Sequence, residues 1–221
     1  MVKKSAVSSQ QSAVKTINLP LTKKDVLKLK VGDVVLINGM IVTGRDRIHE
    51  FLFNEKPLKK DIPFNLDGAI LYHCGPIIIP PRPPLLKGGW GDYRVIAAGP
   101  TTSMRVEMYE YKIISSYGLR GIMGKGGMGK HTLKAMKEKG CVYLHTIGGA
   151  AVYLAERIKK VIDCWKIEEF GTTEAMWLLE VEGFPAIVTM DAHGKSLHKE
   201  IEQHSYIEFK ELLENGFLSH V

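Results

Sequence analysis

Three short segments of the sequence combine basic side chains with hydroxyl groups and glycines: TGRDRIH (43–49), GPTTSMR (99–105) and GIMGKGGM (121–128). They supply arginines, a lysine, threonine hydroxyls and the backbone amides of helix starts, without a cluster of carboxylates suited to a metal ion. A guanidinium group binds a carboxylate through two hydrogen bonds, and a lysine adds a point charge. This combination predicts a binding site for a small compound with two carboxylates.

Each segment also has a simpler interpretation that the sequence leaves open. Ser and Thr at the start of a helix usually cap it, which is worth about 1 kcal/mol. The glycines could form an ordinary turn, with Lys125 as a solvated neighbour. His49 follows Arg45 by one helical turn, which predicts a partly buried capping residue, with an acid–base role as the alternative. Glu174 and Asp191 are expected to be structural or to support the side chains that contact the substrate.

The segment GKGGMGKHT (124–132) nearly matches a phosphate-binding loop. The pattern G-x-x-x-x-G-K-[ST] requires a hydroxyl directly after the lysine, because that oxygen binds the magnesium ion. Here His131 follows Lys130, and Thr132 comes one residue too late. One residue along a helix turns a side chain by roughly 100°, so the hydroxyl would point away from the metal. A nucleotide-binding protein is therefore a remote alternative.

The elements around these segments predict an α/β protein. Thr22 is a candidate N-cap for a short helix, and VVLI before Asn38 and Gly39 predicts a strand that turns there into a hairpin. GRDRIHEFL begins a helix, and AILYHCGP is a further strand. The proline-rich segment at residues 77–90 is predicted to be a surface loop, and YRVIAAGP to be a buried strand.

The second half of the chain alternates strands and helices. TTSMRVEMYEYKIISSYG has a helical pattern, with Met104, Met108, Tyr111 and Ile114 at helical spacing and Gly118 near its end. LRGIMG and CVYLHT are predicted strands on either side of the helix HTLKAMKEKG. GGAAVYLAERIKKVI is a predicted helix, AMWLLEV and FPAIVTMDAHG are two predicted strands, and KSLHKEIEQHSYIEFKELLENG is largely helical.

The composition is that of one soluble domain, predicted at residues 18–221 after a flexible polar tail at residues 1–17. The chain has 221 residues, a formal charge of +6 and a sequence pI of about 9.1. Acidic and basic residues are interleaved, which disfavours nucleic acid as a partner. No run approaches ~18 apolar residues, and the start has no apolar signal region. We therefore expect a cytoplasmic protein that does not bind membranes.

Three cysteines, Cys74, Cys141 and Cys164, are widely separated in the chain. An odd number at such spacing argues against a disulfide framework and for a reducing compartment. Three thiolates can hold an iron–sulfur cluster, but cluster ligands usually include a close C-x-x-C pair. We favour buried structural thiols over cluster ligands, since free cysteine behaves as a small hydrophobic residue.

Several motifs, taken in order, resemble one protein family. They are LPLTKKDVLKLKVGDVVLING, GRDRIHEF, LYHCGP, AAGPTTSMR, GIMGKGGM, the GGAA stretch, TTEAMW and VTMDAHG, within residues 17–212. The sequence is similar to the β subunit of class I fumarate hydratase, which forms the C-terminal half of the single-chain enzymes, and to the β subunit of L(+)-tartrate dehydratase. The resemblance implies a swivelling β/β/α domain. It also implies an iron–sulfur hydro-lyase that interconverts fumarate and (S)-malate, with tartrate dehydration as the alternative.

The resemblance further implies a partner and a set of substrate contacts. In this family a [4Fe–4S] cluster belongs to the partner α subunit, so we expect a hetero-oligomer and no cluster ligands in this chain. The positions that face the dicarboxylate substrate correspond to Arg45, Thr101, Arg105 and Lys125. Thr101 matches the position proposed in the family as the base at C3 of malate.

Three more residues are expected next to these without a direct catalytic role: His49, Thr102 and Gly126. The proline-rich segment around Arg82 has no assigned place in the family pattern.

Overall fold

The computed structural model describes residues 14–80 and 93–214. The strands in these ranges are β1 (Lys15–Asn18), β2 (Val34–Thr43), β3 (Ile70–Tyr72), β4 (Ile77–Ile79), β5 (Arg94–Ala97), β6 (Gly121–Gly124), β7 (Val142–His145), β8 (Ile158–Trp165) and β9 (Met176–Met190). The α-helices are α1 (Lys23–Leu27), α2 (Asp46–Asn54), α3 (Glu107–Tyr117), α4 (Lys130–Lys139), α5 (Ala151–Ala155), α6 (Ile167–Phe170) and α7 (Leu197–Glu214). Short 3₁₀ helices lie at Lys59–Asp61 and Ser103–Val106. The predicted α/β class is confirmed, and no helix in these ranges is long and apolar enough to cross a membrane.

Two long strands, β2 and β9, organise the main sheet. The strand order is β1-β2-β3-β6-β7-β9-β8, and β2 also pairs with β9. The pairings of β2, β3, β6, β7 and β9 therefore close a ring. Outside this ring, β1 pairs with β2 and β8 pairs with β9. The pairs between β1, β2, β3, β6 and β7 are parallel, whereas β9 is antiparallel to β2, β7 and β8.

Alternate residues of the ring face two separate hydrophobic cores, as the twofold period of a strand requires. Ile70 and Tyr72 on β3 belong to one core, together with side chains from α1 and α5. Leu71 between them belongs to the other core, which α2, α3 and α4 cover. The second core lies beneath the helices that begin at the three segments singled out in the sequence.

Local signals with a defined physical mechanism are confirmed at the helix ends. Thr22 caps α1, because its hydroxyl accepts from the Asp25 N–H at 3.3 Å while the Asp25 carboxylate accepts from the Thr22 N–H at 3.1 Å. Gly118 ends α3 with a φ of 76°, and Gly140 ends α4 with a φ of 74°. This left-handed conformation is open to glycine at little steric cost.

The hairpin predicted at Asn38 and Gly39 is wrong. β2 continues through both residues, and its register with β9 shifts between Ile37 and Gly39, which marks a bulge. Gly39 has a φ of 105°, and a Cβ atom there would lie 3.1 Å from Leu19 Cβ. The Asn38 side chain accepts a hydrogen bond from the Gly183 N–H at 2.7 Å. The Asn-Gly pair therefore forms a bulge in a continuous strand.

Two predicted boundaries around β8 and β9 are also wrong. The helix predicted for GGAAVYLAERIKKVI is limited to Ala151–Ala155, because the chain from Ile158 onward forms β8 and pairs with β9. The two strands predicted for AMWLLEV and FPAIVTMDAHG are one strand, β9. Pairing with β2 extends β9 through Pro185, which lies opposite Leu36.

The ordered domain begins earlier than the predicted boundary at residue 18. Residues 15–17 of the predicted tail belong to β1, which pairs with β2, and Ile17 is buried. Residues 1–13 lie outside the described residues.

The predicted surface loop at residues 77–90 begins with a strand. Ile77–Ile79 forms β4, which pairs with β5 in a separate two-stranded sheet. β5 was predicted to be buried, but of its residues only Val95 is fully buried. The segment at residues 81–92, which contains Arg82, lies outside the described residues.

Candidate active site

Main-chain hydrogen bonds join the GPTTSMR segment to the glycine loop. Thr102 and Lys125 form a parallel bridge. The Lys125 N–H donates to the Thr101 carbonyl at 3.2 Å, and the Ser103 N–H donates to the Lys125 carbonyl at 3.0 Å. The Thr101 N–H donates to the carbonyl of His73, directly after β3, at 2.7 Å. Two of the three predicted segments are therefore in direct contact.

Carboxylates join the third segment to the other two by holding the arginines. Arg105 Nη2 donates to Asp46 Oδ2 at 2.9 Å, and the same oxygen lies 4.0 Å from Arg45 Nη2. Arg45 Nε lies 3.3 Å from Glu174 Oε1, and Glu174 Oε2 accepts from the Arg47 N–H at 3.1 Å. Glu174, expected to be structural or to support the site, therefore orients Arg45. Asp46, which the sequence analysis did not single out, bridges the two arginines.

The Arg45 side chain lies across the glycine that follows β3. A Cβ atom at Gly75 would come within 2.6 Å of Arg45 Cδ and of the Thr173 carbonyl oxygen. The Arg45 side chain is 26% exposed, whereas that of Arg105 is 48% exposed. Arg45 is the more desolvated cation, so its interactions are less weakened by water.

A main-chain carbonyl orients the Thr101 hydroxyl. Thr101 Oγ1 donates to the His73 carbonyl at 3.0 Å, and the Thr101 N–H donates to the same oxygen. The residue is half-buried. Because the hydroxyl proton is directed to this carbonyl, the lone pairs of Oγ1 remain available to accept a hydrogen bond or a proton.

Lys125 is the cation without a protein partner in this group. Within the described part of the chain, its ammonium group makes no hydrogen bond and no ion pair. The side chain is half-buried and passes the loop after β7, where a Cβ atom at Gly148 would lie 3.6 Å from Lys125 Cδ. Thr102 and Gly126 are exposed beside it. A half-buried ammonium group of this kind is suited to an external anion.

The start of α4, which a phosphate-binding loop would use, is occupied by a carboxylate of the protein. Glu107 accepts from the N–H groups of Gly129 and Thr132 at 2.8 and 3.2 Å, and from the Thr132 hydroxyl at 2.7 Å. Helix N-termini bind anions through such amides, but here an internal anion already satisfies them. The Thr132 hydroxyl is buried against Glu107 and Lys130 is exposed. This geometry opposes the nucleotide-binding alternative.

Replacing Glu107 with alanine is expected to lower the free energy of unfolding by about 1–3 kcal/mol, because the amides at the start of α4 lose their acceptor. Urea unfolding of the purified chain, followed by circular dichroism, measures the change. Glu138→Ala is the control, because Glu138 is exposed on α4 and pairs only with Lys134 at 3.9 Å. Its effect should stay within about 0.5 kcal/mol. Identical unfolding midpoints for the two variants would rule out the capping role of Glu107.

A buried cluster of polar side chains lies beneath these groups. His49 Nε2 and His73 Nε2 lie 2.9 and 3.0 Å from the same oxygen of Glu110, Oε2. His73 Nδ1 lies 2.8 Å from the Ser103 hydroxyl, which lies 2.8 Å from the Tyr143 hydroxyl. All five side chains are buried. The prediction that His49 is a partly buried cap is wrong, because it is fully buried and paired with Glu110.

The cluster shifts the pKa values of its members in different directions. Burial alone would lower the pKa of His49, but the charge and hydrogen bond of Glu110 outweigh it and raise that pKa. At His73 burial prevails and lowers the pKa. Burial alone would raise the pKa of Glu110, but the facing His49 and the hydrogen bonds from both histidines lower it to about 2. Glu110 is therefore ionised at neutral pH.

The pattern of apolar residues in α3 gave no indication that Glu110 is buried. Met104 and Met108, two of the apolar residues that predicted the helix, are 48% and 63% exposed. The buried face of α3 consists of Glu110, Ile113, Ile114 and Tyr117. A count of apolar residues does not register a buried glutamate. The sequence carried no signal that would pair Glu110 with His49 and His73.

The residues of this chain do not fit an iron–sulfur cluster. Cys74 and Cys141 are buried and Cys164 is partly buried. Burial raises the pKa of Cys74 and Cys164 to about 12 and also raises that of Cys141. Cys74 and Cys141 lie in different hydrophobic cores, and the three thiols do not form a group close enough to share one metal ion. Their environment matches the structural role predicted from the sequence.

Among the described residues, one group of three potential metal ligands occurs, formed by His49, His73 and Glu110. The ligand atoms lie within 4.8 Å of one another. The N–O distances of 2.9 and 3.0 Å are hydrogen-bond lengths. We therefore interpret this group as a hydrogen-bonded cluster.

Comparisons with known proteins identify the family of this chain. Residues 2–201 match the model of the family described as Fumarase C-terminus. The chain belongs to this family. It is 47% identical over 212 residues to a Geobacillus stearothermophilus protein named fumarate hydratase class I, which covers 96% of this chain and 39% of that protein. It is 41% identical over 194 residues to a Methanocaldococcus jannaschii protein named L(+)-tartrate dehydratase subunit beta, which covers 87% of this chain and 95% of that protein.

The fumarase C-terminus chain is also 36% identical over 190 residues to the L(+)-tartrate dehydratase subunit beta of Escherichia coli K12, covering 83% of this chain and 86% of that protein. It thus spans well under half of the Geobacillus protein but most of each beta subunit.

Asp191, in the last family-like motif, accepts from the N–H groups of Val31, His193 and Lys195 at 3.2, 3.0 and 3.0 Å. These contacts match its predicted structural role.

Proposed function

We propose that this chain is the β subunit of an iron–sulfur-dependent hydro-lyase that reversibly hydrates fumarate to (S)-malate. One arrangement carries the proposal: Arg45, Arg105 and the unpartnered Lys125 lie on segments joined around the hydroxyl-bearing Thr101. These groups match a substrate with two carboxylates. The names of the relatives, fumarate hydratase and L(+)-tartrate dehydratase, support the same class of reaction.

The cations of this site would bind the substrate and stabilise the charge that develops on it. Asp46 and Glu174 hold the guanidinium groups of Arg105 and Arg45 in place, which reduces the reorganisation needed when a carboxylate arrives. Lys125 would supply a further charge. Removal of the C3 proton of malate builds negative charge, and fixed cations in a site without water are most effective at stabilising such charge.

Thr101 would accept the C3 proton at Oγ1 as an alkoxide, after its own hydroxyl proton has passed to solvent water. An ordinary threonine hydroxyl is too weakly acidic to act as a base at neutral pH, so its alkoxide needs stabilisation by nearby positive charge. Lys125 is adjacent through the main chain, since its N–H donates to the Thr101 carbonyl, and Arg105 follows four residues later in the 3₁₀ helix Ser103–Val106. The His73 carbonyl fixes the direction of the hydroxyl.

The [4Fe–4S] cluster would be bound by a partner α subunit, because Cys74 and Cys141 of this chain are buried in different hydrophobic cores and its thiols do not form a ligand group. The cluster would supply a Lewis acid. Two relatives are named as beta subunits, which supports a hetero-oligomer with a shared active site. The isolated chain is then inactive, and the assembled enzyme acts in the cytoplasm.

L(+)-tartrate is the second candidate substrate. The chain covers 95% and 86% of two relatives named as tartrate dehydratase beta subunits, whereas the fumarate hydratase relative is a much longer protein. Tartrate differs from malate by one hydroxyl group. Assays of the assembled enzyme on both compounds therefore distinguish the two functions.

Lys125→Ala is expected to lower kcat/KM for malate by about 30-fold or more, because a desolvated charged contact is worth about 2–5 kcal/mol. The measurement is steady-state kinetics of the chain co-expressed with its partner subunit under anaerobic conditions. Fumarate, malate and tartrate are each tested.

Lys130→Ala is the matched control, because Lys130 is exposed at the start of α4 and should affect the rate only slightly. A phosphate-binding loop predicts the reverse order, since its lysine holds the phosphates. Greater sensitivity of the enzyme to Lys130→Ala, or calorimetric binding of Mg-ATP that Lys130→Ala abolishes, would contradict the proposed site.

A further inference from the structure

A continuous set of buried polar side chains connects the elements that carry the candidate site. It runs from His49 on α2 to Glu110 on α3, and then to His73 after β3. It continues through Ser103 in the 3₁₀ helix to Tyr143 on β7. None of these side chains is accessible to substrate, since each is at most 1% exposed.

The protonation state of His49 follows from its two partners. The Arg45 carbonyl can only accept, so His49 Nδ1, 2.6 Å away, must carry a proton. The ionised Glu110 carboxylate can also only accept, so His49 Nε2, 2.9 Å away, carries a second proton. His49 is therefore an imidazolium with a buried carboxylate as its counterion.

His73 is neutral by the same reasoning. Its Nε2 donates to the Glu110 oxygen that His49 also contacts. Its Nδ1 then accepts from the Ser103 hydroxyl, which accepts in turn from the Tyr143 hydroxyl. The pKa of His73, lowered by burial, agrees with this assignment. The cluster therefore contains one positive and one negative charge.

The two histidines of the cluster are each linked to a main-chain carbonyl of the site. The Arg45 carbonyl accepts from both the His49 N–H, at 3.1 Å, and His49 Nδ1, at 2.6 Å. The His73 carbonyl accepts both the N–H and the hydroxyl of Thr101. A side chain at Gly124 would collide with the Ser103 hydroxyl, so the strand that leads to Lys125 also packs against the cluster.

We propose that the His49–Glu110–His73 cluster is a positioning element, whose buried charge pair fixes the carbonyls of Arg45 and His73 and thereby directs the Arg45 guanidinium and the Thr101 hydroxyl toward substrate. Its members are positioning residues, because they act through Arg45 and Thr101. Burying an ion pair adds little net stability, since desolvation offsets the attraction. The geometric role accounts for the cluster better than stability does. The consequence for catalysis rests on the proposed function, whereas the charge state does not.

Nitrogen-15 NMR of the full chain at pH 8 tests the charge state. The titratable groups that face His49 are Glu110 from α3, His73 after β3 and Asp46 from its own helix. We expect both ring nitrogens of His49 to be protonated at pH 8, where a histidine with an ordinary pKa of about 6.5 is neutral. The His49→Asn spectrum identifies the resonances. A neutral His49, or ring nitrogens bound to a co-purified metal ion, would overturn the proposal.

Glu110→Gln tests the positioning role in the enzyme assembled with its partner subunit. Glutamine keeps the shape of the side chain and removes its charge. We expect kcat to fall about 10- to 100-fold, because small misplacements of reacting groups slow a reaction by such factors. The change in KM should be smaller. A misdirected Thr101 reduces stabilisation of the transition state more than it reduces binding of the substrate. Tyr143→Phe removes only the last hydroxyl of the cluster and should give a smaller fall in kcat.

Glu138→Gln, on the exposed face of α4, is the control and should leave kcat unchanged. A folded Glu110→Gln enzyme with the wild-type kcat would refute the positioning role. If this variant does not fold, the NMR result for the unmodified chain still tests the charge pair, and the kinetics of Tyr143→Phe test the positioning role. An unmodified enzyme inactive on fumarate, malate and tartrate would instead refute the proposed function, and the NMR result would still test the charge state.

Discussion

Thr101→Ala is expected to eliminate nearly all exchange of the C3 proton of malate with solvent in the enzyme assembled with its partner subunit. Loss of a general base lowers a rate by about 10²–10⁴-fold. Thr101→Ser should retain measurable exchange, because serine keeps a hydroxyl within reach of the His73 carbonyl, which Thr101 Oγ1 contacts at 3.0 Å. Deuterium incorporation into malate, followed by NMR, measures the exchange, and malate binding should persist in both variants.

A different role for Thr101 predicts a much smaller effect. If its hydroxyl only anchors this segment to the His73 carbonyl, alanine should cost about 1 kcal/mol of stability and leave the exchange rate nearly unchanged. Thr102→Ala is the matched control, because Thr102 is exposed and its side chain caps nothing. Exchange by Thr101→Ala at close to the wild-type rate would assign proton removal to a group on the partner subunit.

Arg45→Met is expected to lower kcat/KM for malate by about 30- to several-thousand-fold, the effect of losing a desolvated charged contact. Arg45 is partly buried against Gly75 and oriented by Glu174. Methionine preserves much of the packing and removes the charge. Arg105→Met should have a smaller effect, because Arg105 is about half exposed and its charge is better screened. Steady-state kinetics measures both variants.

Arg47→Met is the control for the loss of a neighbouring arginine. The Arg47 guanidinium is exposed and lies 5.4 Å from the centre of the Phe170 ring, away from the site. Its replacement should leave kcat/KM within a few-fold of the wild type. If Arg45→Met folds normally and matches Arg47→Met in its kinetics, Arg45 does not bind substrate.

The parts of the fold that the sequence predicted correctly are those with a local cause. The Thr22 cap and the glycine ends of α3 and α4 depend on residues a few positions apart. The bulge at Gly39 and the unbroken strand β9 depend on pairing between distant parts of the chain. Asn-Gly favours a hairpin in isolation, but β2 pairs with β9 on both sides of the bulge, and this pairing keeps the strand continuous.

The candidate site divides in the same way. The segments that carry Arg45, Thr101, Arg105 and Lys125 could be singled out by their basic and hydroxyl residues beside glycines, and the family resemblance selected these four residues within them. The contacts of Asp46, Glu174 and Glu110 could not be predicted, because they exist only in the folded chain. A glutamate buried against two histidines is indistinguishable, in a sequence, from a glutamate on a helix surface.

The pairing of β2 with β9 also constrains how this domain is made. The two strands lie near opposite ends of the chain, yet each covers an edge of the other. During synthesis, the edge of β2 stays unpaired until β9 has left the ribosome, and an unpaired edge can associate with other chains. Contacts between such distant segments slow folding. The ring must therefore close as one of the last steps of folding, after most of the chain has been synthesised.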